Sequence, residues 1–143
     1  KLEAEAKLLT ILCEIYKAYC NLKERNDTSN ANQGDVVLQL IDYINRNLYE
    51  PLSLGKLSDK FFLSQSQLNR LFKKATGTSV WEYITIKRLI TARNRIRAGE
   101  HAGKVCIACG FKDYSTFYRM FKKCYGITPT ECRRTGKKPE MLA

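Results

Sequence analysis

One short segment occurs twice in this chain, 49 positions apart. Leu68-Asn-Arg-Leu-Phe-Lys-Lys-Ala-Thr-Gly77 returns as Phe117-Tyr-Arg-Met-Phe-Lys-Lys-Cys-Tyr-Gly126. Arg70 pairs with Arg119, Phe72 with Phe121, Lys73-Lys74 with Lys122-Lys123, and Gly77 with Gly126. A residue suited to capping a helix precedes each copy at the same distance, Ser64 in one and Asp113 in the other. Stacked repeat arrays need three or more units to bury a core. Two copies therefore predict a paired module that presents the same basic helix twice.

Charge says what such helices face. Residues 1–34 carry five Lys/Arg and five Asp/Glu, whereas residues 35–143 carry twenty against nine, so the whole formal net charge of +11 sits in the second stretch. An excess of this size attracts polyanions, nucleic acid before others. No apolar run approaches the roughly 18 residues that a membrane span requires, and charges interrupt Lys1–Cys20 too often for a signal peptide. The expected location is cytoplasmic, with no membrane partner. The chain opens on Lys1 rather than Met, which predicts a fragment or a processed form.

Helical periodicity runs through the sequence, and no strand pattern appears in its basic part. Leu8, Leu12, Ile15, Tyr19 and Leu22, widened by Leu9, Ile11 and Tyr16, predict an amphipathic helix over residues 1–25. Two heptads are too few for a stable isolated coiled coil. The stripe needs a partner: a helix of another domain, a second copy, or the basic domain itself. Residues 26–34 read as a linker, residues 35–134 as the basic domain and residues 135–143 as a basic tail.

Within the domain, Asp35 is a plausible N-cap for a helix that buries Val36, Val37, Leu40, Ile41, Ile44 and Leu48. Ser53 can cap a short helix carrying Leu54, Leu57 and Phe61. After a turn at Phe62-Leu63, Ser64-Gln-Ser-Gln67 is a capping box opening a helix that stops at Gly77. A longer helix follows Ser79, with Trp81, Ile84, Leu89, Ala92 and Ile96 inward. Ala102, Val105 and Cys106 begin a short helix that turns at Gly110. Asp113 then caps the second copy, with Phe117, Met120 and Phe121 inward, and Thr128-Pro129 starts a last turn. The expected fold is all-α: two helix-turn-helix subdomains, a long connecting helix between them, and the N-terminal amphipathic helix.

Two short helices joined tightly, the second basic and capped, suit the DNA major groove. Gln65, Ser66, Asn69, Arg70 and Lys73 would face outward in the first unit, and Tyr114, Ser115, Tyr118 and Arg119 in the second. Arginine matches guanine or a phosphate fork, and asparagine matches adenine. Gln65, Lys73, Lys74, Lys122 and Lys123 fit phosphates, which give affinity without sequence information.

Residues 35–134 resemble the DNA-binding domain of the AraC/XylS transcription regulators. The resemblance rests on Leu68–Ser79, on Arg88-Leu89 with Ala92, on Cys109–Lys123, and on Gly126-Ile-Thr-Pro129 with Arg133. It implies a bridging helix near Trp81–Arg97, a rod of roughly 25 Å at about 1.5 Å per residue, setting two reading helices into successive major-groove segments. The implied base-facing residues are Ser66, Asn69, Arg70, Tyr114, Ser115, Tyr118 and Arg119. Double-stranded DNA and RNA polymerase are the implied partners, with a homodimer formed through the N-terminal helix or a preceding domain. Many relatives carry an N-terminal effector domain, of which residues 1–24 resemble only the last helix. Ser58 and Cys106 stand where the family has residues such as Ala, and Cys132 replaces an aromatic. Tyr114 and Tyr118 are less readily bidentate than Gln, which points the second half-site toward thymine methyls or DNA shape.

Other chemistry is weakly supported. Cys106-x-x-Cys109 admits three readings: core packing, half of a metal site completed by Cys124 and Cys132, or a redox pair. His101, the only histidine, lies between Gly99 and Gly103 with no evident triad partner. No catalytic residue, metal site or cofactor is expected. A non-specific basic helical module is the alternative function; single-stranded RNA readers display stacking aromatics, whereas most aromatics here fall on inward stripes.

Overall fold

The computed structural model describes residues 2–26 and 33–136. Among these, the regular structure is helical: α1 (Leu2–Asn26), α2 (Gln33–Arg46), α3 (Leu54–Phe61), α4 (Gln65–Thr76), α5 (Val80–Arg97), α6 (Ala102–Ala108), α7 (Tyr114–Tyr125) and α8 (Pro129–Gly136). Most of the expected linker, residues 27–32, and of the basic tail, residues 137–143, lies outside the described residues. The described residues fall into two compact units, one of residues 8–85 and a second of residues 2–7 with 86–136, so α1 and α5 each belong to both.

In the first unit, α2, α3, α4 and the start of α5 bury Leu40, Ile44, Leu57, Leu68, Phe72, Val80 and Ile84. Their three- and four-residue spacing puts them on single helix faces. From α1, Ile15 enters this core while Ile11 and Tyr19 pack against it. For these residues the partner of the amphipathic stripe is the basic domain. Tyr16 faces outward; Leu8, Leu9 and Leu22 lie outside the residues whose side chains are described.

Two local expectations are corrected. Helix α2 starts at Gln33, so Asp35 sits inside the first turn rather than capping it; there its charge still favours the positive end of the helix. Trp81 is 43% exposed, not inward. Val80, fully buried, takes the core position, and one residue onward the helix has turned about 100°, carrying Trp81 outward.

Phe62 ends α3 in the left-handed region, at φ 54° and ψ 37°, with its N–H on Ser58 O. Its ring is 94% exposed, so packing does not offset the backbone cost. Gly110 occupies the matching turn of the second unit at φ 86°. Phe62→Gly is therefore expected to stabilise the protein by about 1 kcal/mol. Urea unfolding checks this; a lower midpoint would mean that the ring makes a stabilising contact.

The second unit is built on the later part of α5, α6, α7 and α8. Leu89, Ala92, Ile96, Val105, Cys106, Cys109, Phe117, Phe121, Tyr125 and Cys132 are essentially buried. Phe111, Phe117, Phe121 and Tyr125 form a stack with successive ring centroids 5.0, 5.5 and 4.8 Å apart. Cys132 is buried, at 1% exposure. Gly136 runs so close to Arg97 that a Cβ there would clash with its carbonyl oxygen.

Candidate nucleic-acid interface

Helix α4 is fixed at both ends by its own sequence. Gln67 N–H donates to Ser64 Oγ at 3.2 Å, and Ser64 N–H donates to Gln67 Oε1 at 3.0 Å, completing the capping box. At the other end Gly77, at φ 80°, donates its N–H to Lys73 O. With Leu68, Phe72 and Thr76 buried, the opposite face presents Gln65, Ser66, Arg70, Lys73 and Lys74 to solvent.

The second copy reaches the same geometry by different chemistry. Asp113 accepts from Thr116 N–H at 2.7 Å and from Thr116 Oγ1 at 2.8 Å. These bonds hold its carboxyl below the usual carboxylate range, so the cap stays anionic near neutral pH. Gly126, at φ 69°, donates to Lys122 O as Gly77 does to Lys73 O. Phe117, Phe121 and Tyr125 are buried, and Tyr114, Ser115, Arg119, Lys122 and Lys123 are exposed. Tyr118 is half-buried and its ring lies 6.3 Å from that of Tyr114. Burial raises the Tyr114 phenol, which keeps it a hydroxyl donor. Both lysine pairs also complement the negative C-terminal ends of their helices, so charge at these sites serves the fold as well.

Eleven of the twelve residues expected at the interface have side chains on these outer faces or their borders. Asn69 is the exception: it is half-buried like Tyr118, but its Oδ1 is engaged by the fold, accepting from Val80 N–H at 3.2 Å. A bidentate adenine contact would require that same oxygen.

The sequence reading missed cations that hold the second unit together. Arg88, 4% exposed, donates from Nη1 to Gly110 O at 2.9 Å and so fixes the turn before α7. Arg133 Nε donates to Gly99 O at 3.0 Å, and Arg95 forks onto Glu100 at 2.8 and 2.6 Å. Arg93 lies over the Tyr125 ring, 5.0 Å from its centroid. Only the abundance of Arg between residues 88 and 97 hinted at such roles. His101 caps α6 by accepting from Gly103 N–H through Nδ1, a specific task for an exposed loop residue.

Cys106, Cys109 and Cys132 are buried, as the packing role requires, and the Cys109 thiol also lies beside the Arg95 and Arg88 guanidiniums. Burial raises the Cys106 and Cys109 thiols, disfavouring the thiolate that binds metal or reacts. Among the described residues, no three or more His, Cys, Asp or Glu gather as metal ligands. No described helix is long and apolar enough to cross a membrane.

Helices α3 and α4, and again α6 and α7, are thus helix-turn-helix units with a solvent-facing, cation-rich second helix. Residues 57–135 match the family model of a helix-turn-helix domain. The chain is 31% identical over 102 residues to the multiple antibiotic resistance protein MarA of Escherichia coli, covering 71% of this chain and 80% of that protein. It is 30% identical over 131 residues to the transcriptional activator RhaS of Pectobacterium atrosepticum, covering 91% of this chain but 45% of RhaS. This chain thus spans less than half the length of RhaS. A solved AraC-type regulator from Chromobacterium violaceum superposes with a TM-score of 0.63 at 29% identity, over 77% of this chain and 99% of that one. The chain belongs to the AraC/XylS family of helix-turn-helix proteins.

Proposed function

We propose that this chain is the DNA-binding part of a transcription regulator, with α4 and α7 each entering a segment of major groove. The observation that carries this reading is the duplicated helix: capped at its N-terminus, buried on one face, and open along a face bearing arginine and paired lysines. A groove about 12 Å wide admits such a helix and offers a distinct donor and acceptor pattern for each base pair. Ser66 and Arg70 read bases in the first unit, and Tyr114, Ser115, Tyr118 and Arg119 in the second. Gln65, Lys73, Lys74, Lys122 and Lys123 contact phosphates.

Residues 35–134 are the proposed DNA-binding module, with α1 packed onto its first unit through Ile15. The family membership supports a cytoplasmic regulator that acts with RNA polymerase and has no catalytic role of its own. RhaS, a named activator, supports activation as the direction of control. The exposed Cys13 and Tyr16, turned away from the packed Ile15, support a second copy as partner of α1.

Selection of bound duplexes from a random DNA pool, at near-physiological salt, tests the proposal. Two separate blocks of enriched bases are expected, one per unit. One block alone would mean that one unit grips only the backbone. Tight low-salt binding without enrichment would sink the regulator reading and leave a non-specific polyanion binder.

A further inference from the structure

We infer that Asn69 positions the first unit's helices and that base selectivity there rests on Ser66 and Arg70; the second half of this inference depends on α4 lying in the groove. Val80 opens α5 and is fully buried. The first N–H groups of a helix have no intrahelical partner, and a buried N–H left unsatisfied is costly. The cap's own side chain does not serve this one, because an N-cap oxygen reaches the second or third N–H of the helix, as Ser79 Oγ does in accepting from Glu82 N–H at 3.1 Å. Asn69 Oδ1 reaches across from α4 and accepts from Val80 N–H instead.

The chain's own repeat shows why asparagine stands at this point. Shifted by 49, Ser79, Val80 and Glu82 become Thr128, Pro129 and Glu131, and Asn69 becomes Tyr118. The cap is reproduced, Thr128 Oγ1 accepting from Glu131 N–H at 3.1 Å. The residue that opens α8 is a buried proline, which has no N–H to satisfy. A side-chain acceptor is therefore needed at position 69 and not at 118. Where the donor is missing, the side chain on the recognition helix has no backbone N–H to satisfy there, and Tyr118 packs beside Tyr114 instead.

This divides the two units. With Oδ1 bonded to Val80 N–H, the amide is not free to align both Oδ1 and Nδ2 with one adenine edge, and Nδ2–H alone matches acceptors on several base edges. Tyr118 carries no such obligation and remains a reader.

A four-protein cycle of the whole chain tests the tie without DNA: wild type, Asn69→Ala, Val80→Pro and the double variant. Asn69→Ala is expected to lower the melting temperature by roughly 3–8 °C with Val80 present. In the Val80→Pro background the same change should shift it by less than about 2 °C, since the donor is gone. Equal losses in both backgrounds, or no loss with Val80, would overturn the inference. Should Val80→Pro fail to fold, Asn69→Asp keeps the acceptor and should melt near the wild type; melting as low as Asn69→Ala would overturn it equally.

The DNA half is read by random-pool selection. Well below its melting temperature, Asn69→Ala should enrich the same bases at every position as the wild type. Loss of preference at one base pair would make Asn69 a reader and overturn that half. No enrichment by the wild type would instead sink the DNA reading itself, leaving the cap to be decided by melting.

Discussion

Phe121→Ala is expected to destabilise the protein by about 3–5 kcal/mol. The ring is fully buried, with centroids 5.5 Å from Phe117 and 4.8 Å from Tyr125. Removing it takes away its burial and leaves a void between neighbours that cannot fully collapse. Domains are stable by only about 5–15 kcal/mol, so one ring accounts for a large part of what keeps α7 in place. Urea unfolding of the variant should show a strongly lowered midpoint. Lys122→Ala, its exposed neighbour, should cost no more than about 1 kcal/mol, the loss of its charge at the helix C-terminus. A loss below about 1 kcal/mol for Phe121→Ala would mean that α7 is held by something other than its aromatic stack.

The second large effect concerns the paired arginines. Arg70→Ala and Arg119→Ala are each expected to cost about 1–3 kcal/mol of binding to the preferred duplex, with preference relaxed at one base pair. Both side chains lie on exposed helix faces, one turn beyond Ser66 and Ser115. The lysines behind them should behave differently. Replacing Lys73 and Lys74 together should weaken all duplexes alike and flatten the slope of log K against log salt by about 2. Titrations of preferred and scrambled duplexes at several salt concentrations separate the two behaviours. A uniform loss for an arginine variant would make that arginine a phosphate contact. An unchanged slope would remove the lysines from the interface.

Much of the fold was legible because local chemistry set it. Ser64, Asp113, Gly77 and Gly126 mark helix ends through bonds made within a few residues, and the structure contains each of them. The apolar spacing of α2, α4 and α7 likewise needs no knowledge of what lies opposite. The miss at Trp81 has a physical cause: Val and Trp are both apolar, and which of two adjacent residues turns inward depends on how α5 packs, not on its own periodicity. The start of α2 was misplaced because Asp suits an N-cap and a first turn almost equally well.

The site was legible to the extent that its residues act through exposure. Arg70, Arg119 and the lysine pairs lie on outward faces that helical period alone predicts. Composition could not sort the remaining cations. Arg88, Arg95 and Arg133 carry the same charge in the sequence, yet the structure engages them with Gly110, Glu100 and Gly99.

By itself, then, the sequence determined the duplicated capped helix, its buried and open faces, and the charge that selects a polyanion. The capped helix and its faces follow from interactions reaching at most four residues along the chain, and the charge is a sum over the sequence. Tertiary structure alone decided that α1 lays Ile15 into the first unit, that Arg88 clamps a turn 22 residues away, and that Asn69 serves a helix 11 residues on rather than standing free. Those outcomes depend on which groups folding buries together. A buried N–H or carbonyl must find its partner wherever the packing has placed one.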